Sequence, residues 1–405
     1  MKFAMITTFF GPHSFGGDAA YVDRLARALL RQGHEVDVIY SIDSFELLAN
    51  GQPLRDYEPP PGLGMYPLRS QTKGLAPLLV HQTGKPASYK HRIESILQQN
   101  HYDVIHFHNI SLIGGPGLFS LDTGSSRPLK IMTAHEHWLV CPLSLLWQYK
   151  KQVCETKQCL RCTLHAGRPP QLWRYVNPPL KSLSELDALI TPSLHTRGFY
   201  QYLDIPVYRL PYCLENEWPQ RHFNEQFYAN RSRSYFVAAG RLVREKGFQT
   251  ILPLMQTFPD HDLLIAGSGP ELETLQQSAP SNVHFIGMAS QAELASLFRH
   301  AIAVIMPSLF YETFGYVALE AMSVETPVLL RNHGALPELV QVSDAGFTYD
   351  DDNELVEQMS RLVSEPDLRR ILGERGVHAW KNNWSETAHL QMYHNILAER
   401  SNILP

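Results

Sequence analysis

The chain has 405 residues, 44% of them hydrophobic and 19% charged, with a formal net charge of −5. That length suits two or three globular domains with ample core, and no apolar run approaches the roughly 18 residues of a membrane-spanning helix. The acidic balance argues against a nucleic-acid binder.

Lys2–Phe9 reads as a buried strand and not as a secretory leader, because it lacks a small-residue cleavage site and runs into the Gly-rich turn Gly11–Asp18. On that reading the protein is cytoplasmic. Ala19–Arg31 follows as a helix, with Val22, Leu25, Leu29 and Leu30 on one side. Gly33 stops it, and Glu35–Tyr40 completes a βαβ unit. Residues 50–88, rich in Pro and Gly, are expected to be loop with short helical pieces at most. Strands are expected at Asp103–Phe107 and Leu129–Ala134, and a helix over Leu183–Leu189 leading into Ile190. Leu210–Pro219 reads as a linker. A second α/β series starts at Ser234, with strands near Asp262–Ala266, Val283–Ile286, Ala301–Met306 and Pro327–Leu330. The alternation implies parallel sheets in two separate domains.

The chemistry concentrates in Ser308–Leu330, SLFYETFGYVALEAMSVETPVLL. Glu312 closes a polar turn after the apolar run Ala301–Met306, and Phe314-Gly315 opens a helix that runs through Glu320. A strand, a turn and a helix N-terminus make an anion site, because unpaired N–H groups and the helix dipole point outward. The eight-residue step from Glu312 to Glu320 spans about 12 Å of helical rise, the reach from a sugar across a diphosphate to a ribose. The plain alternative is an ordinary αβ unit with two solvated glutamates. Upstream, AAGRLVREKGF sets Arg241 and Lys246 five apart on the loop after a strand, where open α/β sheets bind ligands. Two cations there could neutralise a diphosphate. In the first half, Gly16-Gly17 would let the backbone approach a phosphate closely, unless it forms a simple turn. His106 and His108 share one strand face, and His135 and His137 are spaced likewise in TAHEHW.

Cys141, Cys154, Cys159 and Cys162 fall within 22 residues, separated by twelve, four and two. Such grouping in a reducing compartment admits a structural zinc on four thiolates, an iron–sulfur cluster, disulfides or unmodified thiols. Charge is uneven: residues 1–212 carry 21 Lys and Arg against 16 Asp and Glu, and the rest 14 against 24. Between Lys150 and Lys181 seven basic residues face one acid, Glu155, with Trp173 and Tyr175 among them. This surface could lie on anionic lipid, hold an acidic acceptor, or be a solvated loop.

The stretches FFGPHSFGGDAAYVDRLARALLRQGHEVDVI, DVIHFHN, TAHEHW, AAGRLVREKGF, LLIAGSGPEL, NVHFIGM and Ser308–Val328 together resemble the retaining glycosyltransferases of family 4. The resemblance implies a GT-B α/β fold: two Rossmann-like parallel-sheet domains facing a central cleft, with hinge closure on the donor. The domains would span residues 1–212, carrying the Cys-rich basic loop 141–181, and 213–384, with a last helix from 385 to 405 packing back on the first. It implies transfer of a hexose from a nucleotide-diphosphate sugar to a hydroxyl of a glycan or lipid-linked acceptor. His135 and Glu312 would position the sugar, while Gly16, Gly17, Arg241, Lys246, Phe314, Gly315 and Glu320 would bind the donor. Retention would follow from attack on the same face, the leaving phosphate helping to deprotonate the acceptor, with no catalytic metal. The enzyme would be cytoplasmic, or peripheral at the inner face of the membrane. Two rival readings keep the architecture: a sugar-nucleotide epimerase, and a degenerate scaffold without catalysis. A nicotinamide-linked dehydrogenase fits less well, because Gly267 and Gly269 are followed by Leu272 where the dinucleotide fingerprint needs its third glycine.

Overall fold

The computed structural model describes residues 1–14, 16–49, 56–176, 178–218 and 232–400. Two compact units divide the chain. The first holds Met1–Leu145, Gln158–Leu210 and the chain from Met392 onward; the second holds Leu146–Lys157 and Pro211–Gln391.

Strands of the first unit are β1 (Lys2–Ile6), β2 (Glu35–Ser41), β3 (Leu63–Leu68), β4 (Val104–Phe107) and β5 (Leu129–Thr133). A short antiparallel hairpin, β6 (Trp147–Gln148) and β7 (Gln152–Val153), precedes β8 (Ala188–Thr191) and β9 (Val207–Arg209). The seven-stranded sheet is ordered β3-β2-β1-β4-β5-β8-β9, and every pairing is parallel. Phe3, Ala4, Met5 and Ile6 of β1 are wholly buried, as expected of a central parallel strand covered on both faces. The second unit has β10 (Tyr235–Ala239), β11 (Asp262–Ala266), β12 (Val283–Gly287), β13 (Val304–Met306), β14 (Val328–Arg331) and β15 (Gly346–Tyr349). Their order is β12-β11-β10-β13-β14-β15, again all parallel.

Each sheet reverses its direction of winding once, between β1 and β4 and between β10 and β13. A parallel pair ends its two strands at the same sheet edge, so the loops after β1 and β4 emerge together, as do those after β10 and β13. Such a switch point leaves a crevice at the carboxyl ends of the strands.

Two local expectations fail, and two edge strands are missed. Within 50–88, residues 56–88 include β3 and the helix Leu75–Thr83, while 50–55 lie outside the described residues. β3 is an edge strand that tolerates Gly64 and Pro67, residues that make it read as a turn. The helix expected over Leu183–Leu189 is one 3-10 turn, Leu183–Glu185, and the Asp187 N–H, donating to the Lys130 carbonyl (2.8 Å), already opens the β8 ladder. A five-residue run such as Leu186–Ile190 suits either period. β9 and β15, of three and four residues at sheet edges, were not anticipated. The linker expectation Leu210–Pro219 coincides with the unit boundary at Leu210/Pro211, and Pro219 is outside the described residues.

The last described helix, Glu386–Arg400, starts in the second unit and ends in the first. In the first unit its Tyr393 is wholly buried, with its ring 5.6 Å from His106 and 6.4 Å from Phe3.

Candidate active site

The second unit builds its site from the loops after β10 and β13. The Lys246 ammonium donates to Glu312 Oε1 at 2.7 Å, and Ser308 Oγ donates to the same oxygen at 2.6 Å. Glu312 is only 9% exposed. Lys246 also lies 5.2 Å from the centre of the Phe310 ring. Gly247 makes this approach possible: its φ is +77°, and a Cβ there would sit 1.9 Å from the Pro307 carbonyl oxygen. The backbone closes the contact, the Leu309 N–H donating to Glu245 at 2.8 Å and the Ala335 N–H to the Glu312 carbonyl at 3.0 Å.

Gly315, at φ +134°, precedes the helix Tyr316–Ser323, and no side chain caps that N-terminus. A Cβ on Gly315 would press on Leu336 and Leu339 at 2.9 and 3.0 Å. Phe314 beside it is buried against Tyr212 and Tyr316. Glu320 follows one turn into the helix and is half-buried. Arg241 is exposed on the loop after β10, as is Arg244. Lys246 is thus paired while two further cations of the same loop stand in solvent, and the neighbouring loop after β13 leads into an uncapped helix start; each feature attracts an anion.

The first unit builds a second cluster from the loops after β1, β4 and β5. Gly16 has φ +95° and precedes the helix Gly17–Arg31, which has no side-chain cap. Asp18 accepts from its neighbouring Ala19 N–H (2.9 Å) and from Asn109 Nδ2 (3.0 Å). Enclosure raises its carboxyl pKa, and these two bonds oppose the rise. The β4–β5 register aligns His106 with Ile131, which carries His106 to Thr133 and His108 to His135. His106 Nε2 lies 2.8 Å from Thr133 Oγ1 and its Nδ1 3.0 Å from the Tyr393 hydroxyl. His108 Nδ1 and His135 Nε2 are 2.9 Å apart, and Tyr21 packs edge-on against His135 at 5.0 Å.

Burial holds His135 down at a pKa of about 3, and burial with two neighbouring imidazoles lowers His108 well below its usual value. With both rings neutral, one nitrogen of the 2.9 Å pair carries the proton and the other is bare, so each ring sets its neighbour's tautomer. Glu136 behaves oppositely. Burial and the Asp18 carboxylate push it up to about 7, against the pull of Ser144, Arg168 and Arg174. The TAHEHW loop therefore combines a neutral imidazole with a carboxyl group that exchanges its proton near neutrality. Ser308, His108, Asp18, Asn109 and Glu136 were not singled out for these partnerships by sequence. Only His108 carried a signal, its spacing from His106.

The cysteines are not brought together as a ligand set. All of Cys141, Cys154, Cys159 and Cys162 are half-buried, and no group of three or more His, Cys, Asp or Glu among the described residues is arranged to hold a metal ion. Cys154 belongs to the β6/β7 segment grouped with the second unit, whereas the other three belong to the first.

Each unit thus carries a switch point, one with a cation–carboxylate pair beside a helix start and one with stacked histidines beside a Gly-led helix. Residues 15–207 match the family model "Glycosyltransferase Family 4", and residues 220–378 match "Glycosyl transferases group 1". The chain belongs to the family-4 glycosyltransferases of GT-B fold. An uncharacterized glycosyltransferase of Methanocaldococcus jannaschii is 25% identical over 84% of this chain and 83% of its own length. A sucrose-phosphate synthase from Thermosynechococcus elongatus shares the fold with a TM-score of 0.74 at 20% identity, covering 98% of this chain and 99% of its own. HepE from Anabaena, solved with UDP-glucose, superposes with a TM-score of 0.67 at 14% identity, over 98% of this chain and all of its own.

Proposed function

We propose that the chain transfers a hexose from a nucleotide-diphosphate sugar to a hydroxyl of a glycan or lipid-linked acceptor, with retention of configuration. The Lys246–Glu312 pair at the β10/β13 switch point carries this reading. A buried carboxylate and its lysine, held by Gly247 and Ser308, form a preset polar pair. An arriving diphosphate offers Lys246 a second anion, and the hydroxyls of the sugar offer Glu312 new donors. Arg241 and the amides at Gly315 add positive potential for the leaving diphosphate. Glu320, eight residues on, suits the ribose hydroxyls. Gly16-Gly17 and His135 of the first unit position the sugar and the acceptor. The C–O bond to the diphosphate breaks as the acceptor oxygen bonds to the same face of the sugar carbon, and the acceptor proton passes to the departing phosphate. The UDP-glucose bound in HepE supports the choice of donor class.

The test is a panel of nucleoside-diphosphate sugars read by thermal shift and calorimetry, followed by turnover with the donor that binds. One donor should raise the melting temperature. Glu320→Gln and Lys246→Ala should then lower kcat/KM by about 100-fold or more. Wild-type kinetics in both variants would remove this site assignment, and sugar isomerisation without acceptor would replace transfer by epimerisation.

A further inference from the structure

Sixteen large apolar side chains are exposed among the described residues, and ten of them lie on four short segments of the first unit. The segments are the helices Ile42–Ala49, Leu75–Thr83 and Cys159–His165, and residues 172–176. The ten side chains are between 40% and 86% exposed. Leu75, Leu78 and Leu79 come from a helix with no charged residue, in the region that reads as loop by composition.

The four segments are neighbours. Leu47 lies 3.6 Å from where a Cβ would stand on Gly74. Trp173 Nε1 donates to the His81 carbonyl at 2.9 Å, and the Trp173 ring covers Gly84. Tyr175 sits next to Leu160, whose backbone acts on its hydroxyl. Trp173 and Arg174, which composition would have offered to lipid, instead pack inward: the guanidinium lies 4.5 Å from the Trp138 ring and 5.2 Å from the Trp173 ring. The aliphatic side chains are what remain outside.

Charge selects the partner. Lys73, Lys85 and Arg161 border or lie on these segments, all exposed, and no carboxylate pairs with them among the described residues. The segments carry two acids, and both are engaged: Asp43 is buried and accepts from Tyr89 and the Ser70 N–H, and Glu46 pairs with Arg69. A second copy of this chain would set the same cations against one another across an isologous contact. Nucleic acid would leave the leucines without apolar contact. An anionic bilayer takes both, the leucines entering the acyl boundary and the cations meeting headgroups.

We propose that this face, centred on Leu75–Leu79, docks the protein on anionic membrane surfaces. The inference stands apart from the donor and acceptor chemistry. The full chain is mixed with vesicles of phosphatidylcholine and phosphatidylglycerol, or of phosphatidylcholine alone, and sedimented at low and high salt. Binding is expected to the anionic vesicles only, and to weaken several-fold at high salt. Leu75→Ser, Leu78→Ser and Leu79→Ser combined should reduce partition about tenfold or more, while leaving the melting temperature and donor-induced shift intact. No sedimentation of the wild type, equal binding to neutral vesicles, or unchanged binding of the triple variant would overturn it. A concentration-dependent dimer lost in the triple variant, without vesicle binding, would overturn it in favour of self-association.

Discussion

Glu312 and Lys246 were both expected to touch the donor, and they touch each other. The pairing explains how a carboxylate can be kept nearly buried without ligand: its charge is answered by one ammonium and one hydroxyl. The first unit solves the reverse problem, keeping imidazoles neutral and a carboxylic acid partly protonated. Their pH signatures therefore oppose one another. His135, held at about 3 against 6.5 when unfolded, contributes stability that is whole above pH 6.5 and drains as pH falls towards 3. Glu136, raised from 4.5 to about 7, contributes stability that is whole below 4.5 and is lost as pH climbs through 7. Glu136→Gln should accordingly gain on the wild type between pH 5 and 8. His135→Gln should gain on it between pH 6.5 and 4. Urea titrations at these pH values check both, and parallel curves for variant and wild type would show that the groups titrate normally. The identity of Glu312, Glu320, Lys246 and His135 as site residues is readable because each sits at a fixed offset from a strand end. Their partners are not, because spacing along one strand says nothing of which strand lies next to it. His108 finds His135 only through the β4–β5 register.

At the scale of elements, the long apolar strands and the helix Gly17–Arg31 were legible because burial on both faces or on one stripe writes itself into composition. Edge elements were hidden for the complementary reason. β3, β9 and β15 need only one neighbour and tolerate turn residues, and the helix Leu75–Thr83 buries only Ala76, Pro77 and Val80. The site loops depend on backbone positions more than on side chains. Gly247→Ala would force a methyl group into the Pro307 carbonyl at a positive φ, costing roughly 1–3 kcal/mol. It should also pull Lys246 from Glu312, so donor affinity falls together with the melting temperature. Gly198→Ala, where a Cβ meets nothing within 4 Å, is the control and should alter neither.

At the scale of the whole chain, the two parallel-sheet halves were foreseeable from two series of alternating strands. The Cys-rich segment was not, because the β6/β7 hairpin departs from the unit that flanks it in sequence. No helix among the described residues is long and apolar enough to cross a membrane.

The order of synthesis gives Tyr393 a further meaning. A ribosome finishes the seven strands of the first sheet long before it reaches this residue, yet His106 Nδ1 bonds to the Tyr393 hydroxyl and Tyr208 to Glu399. A nascent first unit therefore waits with an imidazole and an aromatic slot uncovered until the segment Glu386–Arg400 has been made. A fragment of residues 1–210 should unfold at lower denaturant than the same unit in the full chain. Added peptide spanning residues 386–400 should recover part of the difference, with Tyr393→Ala in that peptide abolishing the recovery. The first half of this protein is thus translated early and completed late.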